Sequence, residues 1–400
     1  MSLNYNSTIK ACFIGYIVQS IVNNFVPLLF VTFQNQFGIP LSEITILITL
    51  NFSLQLLVDF AAAFFIDKIG YRTSAVIAHL FSATGLILLS FLPSAMNNHL
   101  LGVIISVVFY AAGGGLLEVI ISPLVESCPS EHKEKTMSML HSFYCWGTAG
   151  VIILSTIAFN LFGIENWAVI AAAWAVVPVI NSLFVLKVPI TEPSESSEEG
   201  LSLKSLLKTK MFWIFIIIMC CSGASEQAVS QWASTFTEKA LGISKSVSDL
   251  IGPALFSIMM GSSRAIYGKF GDKIDLSKMM LLSTIMCIAS YAVIVFSASA
   301  FAGLVGIALS GFAVGILWPG SFSKSVVSIK GGGSAMFAFL ALAGDVGCAA
   351  GPTFAGKIAS IAGDNLKTGL LAAIIFPLIL LVLLFKSERT NGGKSYGHIE

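Results

Sequence analysis

The sequence predicts an all-α membrane protein whose twelve transmembrane helices form two six-helix bundles related by pseudo-symmetry. Three observations lead to this fold class. Hydrophobic residues make up 56% of the chain and charged residues only 11%, against roughly 25% charged in ordinary soluble domains. Twelve apolar segments are each long enough to cross a bilayer, which takes about 20 residues. Short patterns of the first half return in the same order in the second half, as parallel repeats require.

The predicted spans follow one another through short connections, except for one polar linker. This linker, residues 188–209, is acidic and rich in Pro and Ser, and it separates six spans from six. Residues 1–187 are therefore the predicted N-terminal bundle, and residues 210–400 are the predicted C-terminal bundle with a short tail. The predicted spans are 11–33, 42–66, 72–93, 99–127, 136–160, 166–187, 210–236, 249–268, 277–298, 300–323, 333–358 and 367–386.

Lys and Arg predict the orientation of these spans. Most of the 22 Lys and Arg fall in segments that share one side of the membrane, which the positive-inside rule makes cytoplasmic for both termini. The first apolar run continues past Pro27 without a small-residue cleavage pattern, so we expect it to remain as a transmembrane helix. The short loops favour the inner membrane of a bacterium. Because this architecture encloses its pathway within one chain, we expect a monomer.

The composition also argues against several classes of function. The net charge is +1, and no basic stripe is available to neutralise phosphates, so nucleic acid is not an expected partner. The seven cysteines include no Cys-x-x-Cys and read as packing residues rather than a metal or disulfide framework. No metal-ligand cluster and no nucleophile with a paired base is found. We therefore expect no cofactor, no metal and no enzyme activity.

A charged motif in the loop after the second span carries a family resemblance. Asp67, Lys68, Gly70 and Arg72 follow the pattern Asp-Lys-x-Gly-x-Arg. Twelve spans in two halves with this loop resemble the major facilitator superfamily of transporters, over nearly the whole chain. The resemblance implies that the loop forms a charge cluster with neighbouring helix ends and acts in gating. A local ion pair between Asp67 and Arg72 is feasible, because they lie at facing ends of consecutive helices.

A second copy of this motif follows the eighth span. Asp272 and Lys273 repeat the beginning of the pattern, but Asp275 replaces the glycine and Ser277 replaces the arginine. We predict a weaker gating contact at this copy. Arg264, near the inner end of the eighth span, completes the predicted gating set.

The fourth and fifth spans resemble the fucose–proton symporter branch of that superfamily. The branch has a membrane-embedded Glu in the fourth span, which Glu118 matches, and a polar residue where His141 stands. Its Asn-rich first span is echoed by Asn23-Asn24, although the acid of that span is Asn here. The resemblance implies a sugar as substrate. The residues that carry it are Gly113-Gly114-Gly115-Leu116-Leu117-Glu118, Ser122-Pro123 and Leu140-His141-Ser142-Phe143.

Four carboxylates fall inside predicted spans and are the candidate ion-coupling groups: Glu118, Glu226, Asp345 and Asp59. Ionisable groups in a membrane are costly and usually mark a transport pathway. No Lys or Arg is predicted deep in a span, since the nearest, Arg264, lies at a helix end. A buried carboxylate that has no Lys or Arg partner tends to hold a proton or to ligate a cation. The alternative is a protonated acid that only joins helices.

Polar and aromatic residues on predicted inward faces are the candidate substrate-binding groups. Amides form directional hydrogen bonds with hydroxyl groups, and an indole can stack on a sugar ring. The repeat also aligns Glu226 of the seventh span with Asn23 of the first. Helix–helix hydrogen bonding, an interfacial anchor for Trp232 and an ordinary kink at Pro319 remain alternatives. The candidates are Gln19, Asn23, Asn24, Asn51, Gln55, His141, Tyr144, Gln227, Gln231, Trp232 and Trp318.

These features favour a secondary active transporter that moves a small neutral solute by alternating access. A sugar fits the amides, hydroxyls and aromatics, and a proton or sodium ion would bind the carboxylates. The apparent lack of a buried cation argues against anionic substrates. The alternative is a proton-coupled exporter of drugs or metabolites on the same fold, which would tolerate single losses of Asn23, Gln227 or His141. A membrane enzyme or a receptor is disfavoured.

Overall fold

All regular secondary structure in the described part of the chain is helical. The computed structural model describes residues 4–39, 41–191, 201–239, 242, 245–363 and 365–390. Residues 192–200 of the predicted linker and 391–400 of the predicted tail lie outside the described residues. No strand occurs within the ranges that are described.

Seven helices precede the linker. Short 3₁₀ turns at Val26–Leu29 and Ile164–Asn166 continue or join them. The helices are α1 (Tyr5–Asn24), α2 (Phe30–Phe37), α3 (Leu41–Ile69), α4 (Tyr71–Ala95), α5 (His99–Ser127), α6 (Lys133–Phe162) and α7 (Trp167–Val185).

Among the described residues, one short helix lies within the predicted linker and eight more follow it, with a 3₁₀ turn at Gly271–Lys273. They are α8 (Leu203–Lys208), α9 (Lys210–Lys239), α10 (Lys245–Phe270), α11 (Leu276–Phe296), α12 (Ala300–Val314), α13 (Leu317–Ser328), α14 (Gly333–Ile361), α15 (Leu366–Ala373) and α16 (Ile375–Thr390).

The helix lengths confirm the predicted all-α membrane class. Ten helical segments of the described chain are long and apolar enough to cross a membrane. The remaining two predicted spans fall on α3 and α10, which contain 29 and 26 residues, more than the ~20 that a crossing needs. Every predicted span therefore coincides with one long helix or with two consecutive helices.

Proline interrupts two of the spans. In the first span, α1 ends at Asn24 and the 3₁₀ turn that follows contains Pro27 near its start. In the tenth span, α12 ends at Val314 and α13 begins at Leu317. Pro319 has no N–H to donate to the carbonyl four residues earlier, that of Gly315, and its ring clashes there. The predicted kink is therefore real, and it lies one turn before the proline.

The chain divides into two compact units. Unit 1 contains residues 1–130, 143–198 and 333–338, and unit 2 contains residues 131–142, 199–332 and 339–400. Helix α6 is thus shared, since its first residues belong to unit 2 and the rest belongs to unit 1. The assignment of the two predicted bundles as separate domains stays a prediction.

Each unit is held together by aromatic packing and close helix contacts. In unit 1, buried Phe25, Phe33 and Trp167 belong to one apolar cluster. In unit 2, α14 approaches the main chain of α9 closely, because a Cβ at Gly347 would lie 1.9 Å from the carbonyl oxygen of Cys220. Small residues allow such approach in membrane helices, where van der Waals packing must replace the hydrophobic effect.

Candidate functional site

A polar cluster in unit 1 joins α1 to α5. The Gln19 side chain donates from Nε2 to Oε2 of Glu118 at 2.6 Å, and the hydroxyls of Tyr16 and Ser122 lie 3.0 Å apart. Residues three or four apart share a helix face, so both contacts connect the same two faces. The face of α5 that carries both Glu118 and Ser122 therefore points to α1.

Asn23 connects the same helix to α3. Its Oδ1 accepts hydrogen bonds from Nε2 of Gln55 at 2.7 Å and from Nδ2 of Asn51 at 3.4 Å. Its own Nδ2 donates to the hydroxyl of Tyr144 at 3.4 Å. Asn51, Gln55 and Asp59 are all buried. These three residues, spaced four apart along the second span, therefore face protein and not lipid, as a polar helix face in a membrane must.

Two glycines let these helices meet. A Cβ at Gly114 would lie 2.9 Å from the Val22 side chain, and one at Gly115 would lie 3.0 Å from Cα of Gln55. Because there is no side chain at these positions, α5 packs closely against both α1 and α3. Glu118, one turn further along α5, is brought beside Gln19 by this packing.

Two buried acceptors of the cluster are left without a hydrogen-bond partner among the described residues. They are Oε1 of Gln19 and Oδ1 of Asn51, on side chains that are almost completely buried. Asn23 and Asn51 also line a cavity of about 30 Å³ together with Phe30 and Tyr110, which has room for water. Unmatched buried polar atoms are costly, so this cluster is suited to accept a hydrogen bond from a hydroxyl or a water.

Asn24 has different partners from Asn23. Its Nδ2 donates to the carbonyl of Ser20 at 2.9 Å and to Oγ1 of Thr148 at 3.2 Å. The Ser20 hydroxyl in turn donates to the carbonyl of Tyr144 at 2.7 Å. These bonds fasten α1 to α6 within unit 1. They favour a helix-packing role for Asn24, and its predicted role in binding substrate stays untested.

Unit 2 contains a buried ion pair. Arg264 donates from one terminal nitrogen to Oε2 of Glu226 at 3.1 Å, and the two side chains are only 4% and 10% exposed. The expectation that the chain has no buried cation is therefore wrong. Arg264 lies near the end of the predicted eighth span, but its guanidinium is surrounded by groups of other helices.

The other nitrogens of Arg264 bind main-chain carbonyls. Its Nε donates to the carbonyl of Gly315 at 2.8 Å, and its second terminal nitrogen donates to that of His141 at 3.3 Å. The Gly315 carbonyl is the one that Pro319 cannot satisfy within the helix. Arg264 therefore supplies the hydrogen bond that the proline removes, and at the same time balances the charge of Glu226.

The predicted polar residues of α9 form a chain that ends at the ion pair. Gln231 donates to Oε1 of Gln227 at 3.2 Å, and Gln227 donates to Oε1 of Glu226 at 3.4 Å. Trp232 is turned differently, because its indole N–H donates to the carbonyl of Pro352 at 3.0 Å. A Cβ at Gly356 would lie 2.6 Å from the same ring, so Trp232 packs on α14.

An aromatic row lies beside this ion pair. The rings of His141 and Phe322 are stacked with centroids 5.9 Å apart, and Trp318 meets Phe322 edge-on at 6.4 Å. The Trp318 indole also covers Gly344, where a Cβ would lie 2.2 Å from the ring. Asp345, the next residue, is half-buried. The packing places Trp318 and His141 in unit 2 as members of one cluster.

The first copy of the charged motif forms a tight turn. Gly70 has φ of +81°, a conformation that other residues rarely adopt, and it alone separates α3 from α4. Asp67 and Lys68 are exposed. The guanidinium of Arg72 donates to the carbonyls of Val185 and Leu186 at 2.8 and 2.9 Å. Arg72 thus caps the end of α7, where carbonyls lack partners.

The second copy pairs with the start of α6. Asp272 contacts Nζ of Lys135 at 2.5 Å and Nδ1 of His132 at 2.9 Å, and the three side chains are 19% to 54% exposed. The hydrogen bond from Lys135, followed by nearby positive charges, lowers the pKa of the Asp272 carboxyl. Lys273 is exposed. Asp275, which replaces the glycine, caps α11 by accepting from the main-chain N–H of Lys278 at 2.8 Å.

Two interactions of unit 2 were missed by the sequence analysis. One is the pairing of Asp272 with Lys135, which joins charges far apart in the chain. The other is Lys324, which is buried, contacts Glu388 and donates to Ser277 at 2.9 Å. The sequence contains a signal for the interaction of Lys324, because Ser277 stands where the first copy of the charged motif has an arginine. A small hydroxyl there leaves room for a lysine from another helix.

A comparison with family models decides the family. The model of the Major Facilitator Superfamily matches residues 12–352. The chain belongs to the major facilitator superfamily. A comparison with curated protein sequences finds no match.

Solved structures of this superfamily share the fold at low sequence identity. The E. coli fucose:proton symporter FucP is similar with a TM-score of 0.77 and 12% identity, over 95% of this chain and 98% of that one. The proton:xylose symporter XylE, bound to 6-bromo-6-deoxy-D-glucose, gives 0.82 and 10%, over 95% of both chains. The human organic anion transporter MFSD10 (TETRAN) gives 0.75 and 14%, over 95% and 99%.

These similarities confirm the twelve-helix major facilitator fold and the resemblance to the fucose–proton symporter branch at the level of structure. The chain is an integral membrane protein with the fold of a transporter. Identities this low identify a fold and leave the solute open.

Proposed function

We propose that this chain is a secondary active transporter of a small neutral solute, with a sugar as the favoured class. The observation that carries the proposal is the cluster of unit 1, where two amides of α3 converge on Asn23 of α1 and Gln19 donates to Glu118. Amides and hydroxyls both donate and accept, as sugar hydroxyls do. The buried acceptors of Gln19 and Asn51 are suited to receive a hydroxyl of the solute.

The charges of the site also favour a neutral solute. Arg264 is the buried cation that an anionic solute would need, but its carboxylate partner already neutralises it. Its other nitrogens donate to two carbonyls. An anion would have to displace Glu226 and leave that carboxylate buried without its partner, which is strongly unfavourable. A neutral solute needs no such exchange.

We assign coupling to the intramembrane carboxylates, with Glu118 as the principal acid and Glu226, Asp345 and Asp59 as further candidates. A proton or a sodium ion on Glu118 changes the charge next to Gln19 and so shifts the relative stability of outward- and inward-facing states. Two of the similar structures are a fucose:proton symporter and a proton:xylose symporter, and those proteins couple transport to protons. We place the chain in a bacterial inner membrane, as a monomer with both termini cytoplasmic.

A second function is favoured by one observation. The buried guanidinium of Arg264 is unusual for a purely neutral site, and one similar structure is a human organic anion transporter. An exporter of organic anions or other metabolites in exchange for protons would use Arg264 after protonation of Glu226.

Proteoliposomes that contain a pH-sensitive dye distinguish these functions. Neutral monosaccharides and organic anions are added outside as separate panels, with and without sodium. Internal acidification driven by a sugar supports proton symport, and sodium-dependent sugar uptake without acidification supports sodium symport. Movement of organic anions, with no response to any sugar, would replace the first function by the second.

A further inference from the structure

Residues 131–142, which we call the α6 segment, lie along the C-terminal half of α10 within unit 2. At the solvent-exposed end of this segment, His132 and Lys135 both contact the carboxylate of Asp272. On the last turn of α10, before this contact, the hydroxyl of Tyr267 donates to Glu134 at 3.1 Å. The side chains of this end are 19% to 54% exposed in the two ion pairs.

At its other end, the α6 segment forms two hydrogen bonds with Arg264. The Ser138 hydroxyl donates to the Arg264 carbonyl at 2.7 Å, and the Arg264 guanidinium donates to the His141 carbonyl at 3.3 Å. The same guanidinium is paired with Glu226 of α9. Glu226 therefore reaches the α6 segment through a single intermediate side chain.

The two ends of the α6 segment differ in how much their contacts contribute to its packing on α10. Exposed ion pairs contribute little because solvent screens them, whereas cutting one partner of a buried pair leaves an uncompensated charge. The Glu226–Arg264 pair is 10% and 4% exposed. Docking of the α6 segment on α10 consequently depends on its buried end.

We propose that Arg264 is a positioning residue that makes the docking of the α6 segment depend on the state of the Glu226 carboxylate. The inference rests on the proposed function, in which Glu226 is a coupling acid. When Glu226 is ionised, it fixes the planar guanidinium so that the remaining nitrogens point at Gly315 and His141. A proton on Glu226 removes that anchor. The His141 carbonyl then loses its donor, and the α6 segment loosens from α10.

The described contacts of the Glu226 carboxylate are with Arg264 and with the neutral amide of Gln227. Lys324 on α13 is engaged by Glu388 and Ser277, and Lys367 on α15 donates to the Ser297 carbonyl. The titratable residues on elements that pack against α9 or α10 are His132, Lys133, Glu134, Lys135, His141, Lys204, Lys208, Asp272, Lys273, Tyr291, Lys324, Asp345, Cys348, Lys357, Lys367, Lys386 and Glu388.

Hydrogen–deuterium exchange of the peptide 131–142, measured on the full chain in lipid nanodiscs, tests the proposal. Rates are compared in mildly alkaline and mildly acidic buffer, after correction for intrinsic exchange with the denatured chain. We expect wild-type exchange to accelerate in acid. Arg264→Gln and Glu226→Gln should exchange about tenfold faster than wild type in alkaline buffer, as local opening becomes easier, and should not respond further to acid.

Asp272→Asn is the matched control, because it cuts the exposed end of the same docking. It should raise the exchange slightly and keep the response to acid. The double variant Glu226→Gln/Arg264→Gln removes both charges, so it avoids the unpaired buried charge that can prevent folding of the single variants. It should exchange fast in both buffers.

A wild-type response to acid in Arg264→Gln or in the double variant would overturn the inference. The inference would also be overturned if Asp272→Asn abolished the response of the exchange rate to acid while Glu226→Gln kept it. The proposed function is tested separately: if no sugar is transported but the exchange response requires Arg264, the inference stands and the proposed solute is wrong.

Discussion

The two units use one position of the internal repeat in opposite ways. In unit 1, Asn23 is a neutral amide that accepts from Asn51 and Gln55. In unit 2, the aligned position is Glu226, a carboxylate that is paired with Arg264. The first arrangement presents hydrogen-bonding groups without net charge, and the second holds two charges that cancel. In the function proposed above, the first arrangement recognises the solute and the second stores charge.

The neighbouring carboxylates make the difference sharper. Glu118 of unit 1 accepts from the neutral amide of Gln19 at 2.6 Å, whereas Glu226 accepts from a cation. Titration of Glu118 changes the charge of a cluster built from amides and hydroxyls. Titration of Glu226 breaks an ion pair that also satisfies the carbonyls of Gly315 and His141. We therefore expect a proton on Glu118 to act on the amide cluster of unit 1, and a proton on Glu226 to act on helix position in unit 2.

The largest effect on stability is expected from Arg264→Leu. The change leaves Glu226 buried without its cation and two carbonyls without a donor, at a cost of about 3–5 kcal/mol. Thermal unfolding in detergent measures it. The double variant Glu226→Gln/Arg264→Gln should be clearly more stable than Arg264→Leu. Equal stability of Arg264→Leu and wild type would show that the ion pair is not a structural element.

A smaller effect is expected in unit 1 from Asn23→Leu. The substitution keeps the approximate size but leaves the side-chain donors of Asn51 and Gln55 without their common acceptor, which costs about 1–3 kcal/mol. Solute binding, measured by isothermal titration calorimetry, should weaken as well. Asn166→Leu, at an exposed turn, is the control. Unchanged solute binding in Asn23→Leu would remove Asn23 from the recognition site and weaken the comparison between the units.

The smallest effect on stability is expected from Asp272→Asn. Its carboxyl pKa is lowered in the folded protein, first by the hydrogen bond from Lys135. The stabilisation is therefore present above the unfolded-state pKa of the carboxyl and is lost as the pH falls through the folded-state value. Unfolding of the wild type and of Asp272→Asn should converge in strongly acidic buffer. A difference that persists there would mean that the carboxylate charge is not the cause.

The sequence predicts the fold and the cluster of unit 1 well, because both depend on local patterns. The spacing of Asn51, Gln55 and Asp59 places them on one face of α3, and a polar face in a membrane must meet protein. The glycines before Glu118 indicate close helix packing, which the structure confirms at Gly114 and Gly115. Such features are contained within one helix and its period.

The cluster of unit 2 could not be predicted in the same way. Arg264 is buried because it pairs with Glu226 of α9, and because Pro319 leaves the Gly315 carbonyl without a donor. These causes lie on two helices that are far apart in the chain, so no local pattern joins them. Trp232 shows the same difficulty: its hydrogen bond to Pro352 depends on the rotation of α9 against α14.

Proton uptake and solute exchange in Glu118→Gln test the central claim most directly. In proteoliposomes, the account predicts that this variant still exchanges labelled sugar across the membrane when no gradient is applied, but no longer acidifies the interior when sugar is added. Glu126→Gln, two turns further along α5, is the matched control and should acidify as the wild type does. Sugar-driven acidification at the wild-type rate in Glu118→Gln would contradict the account.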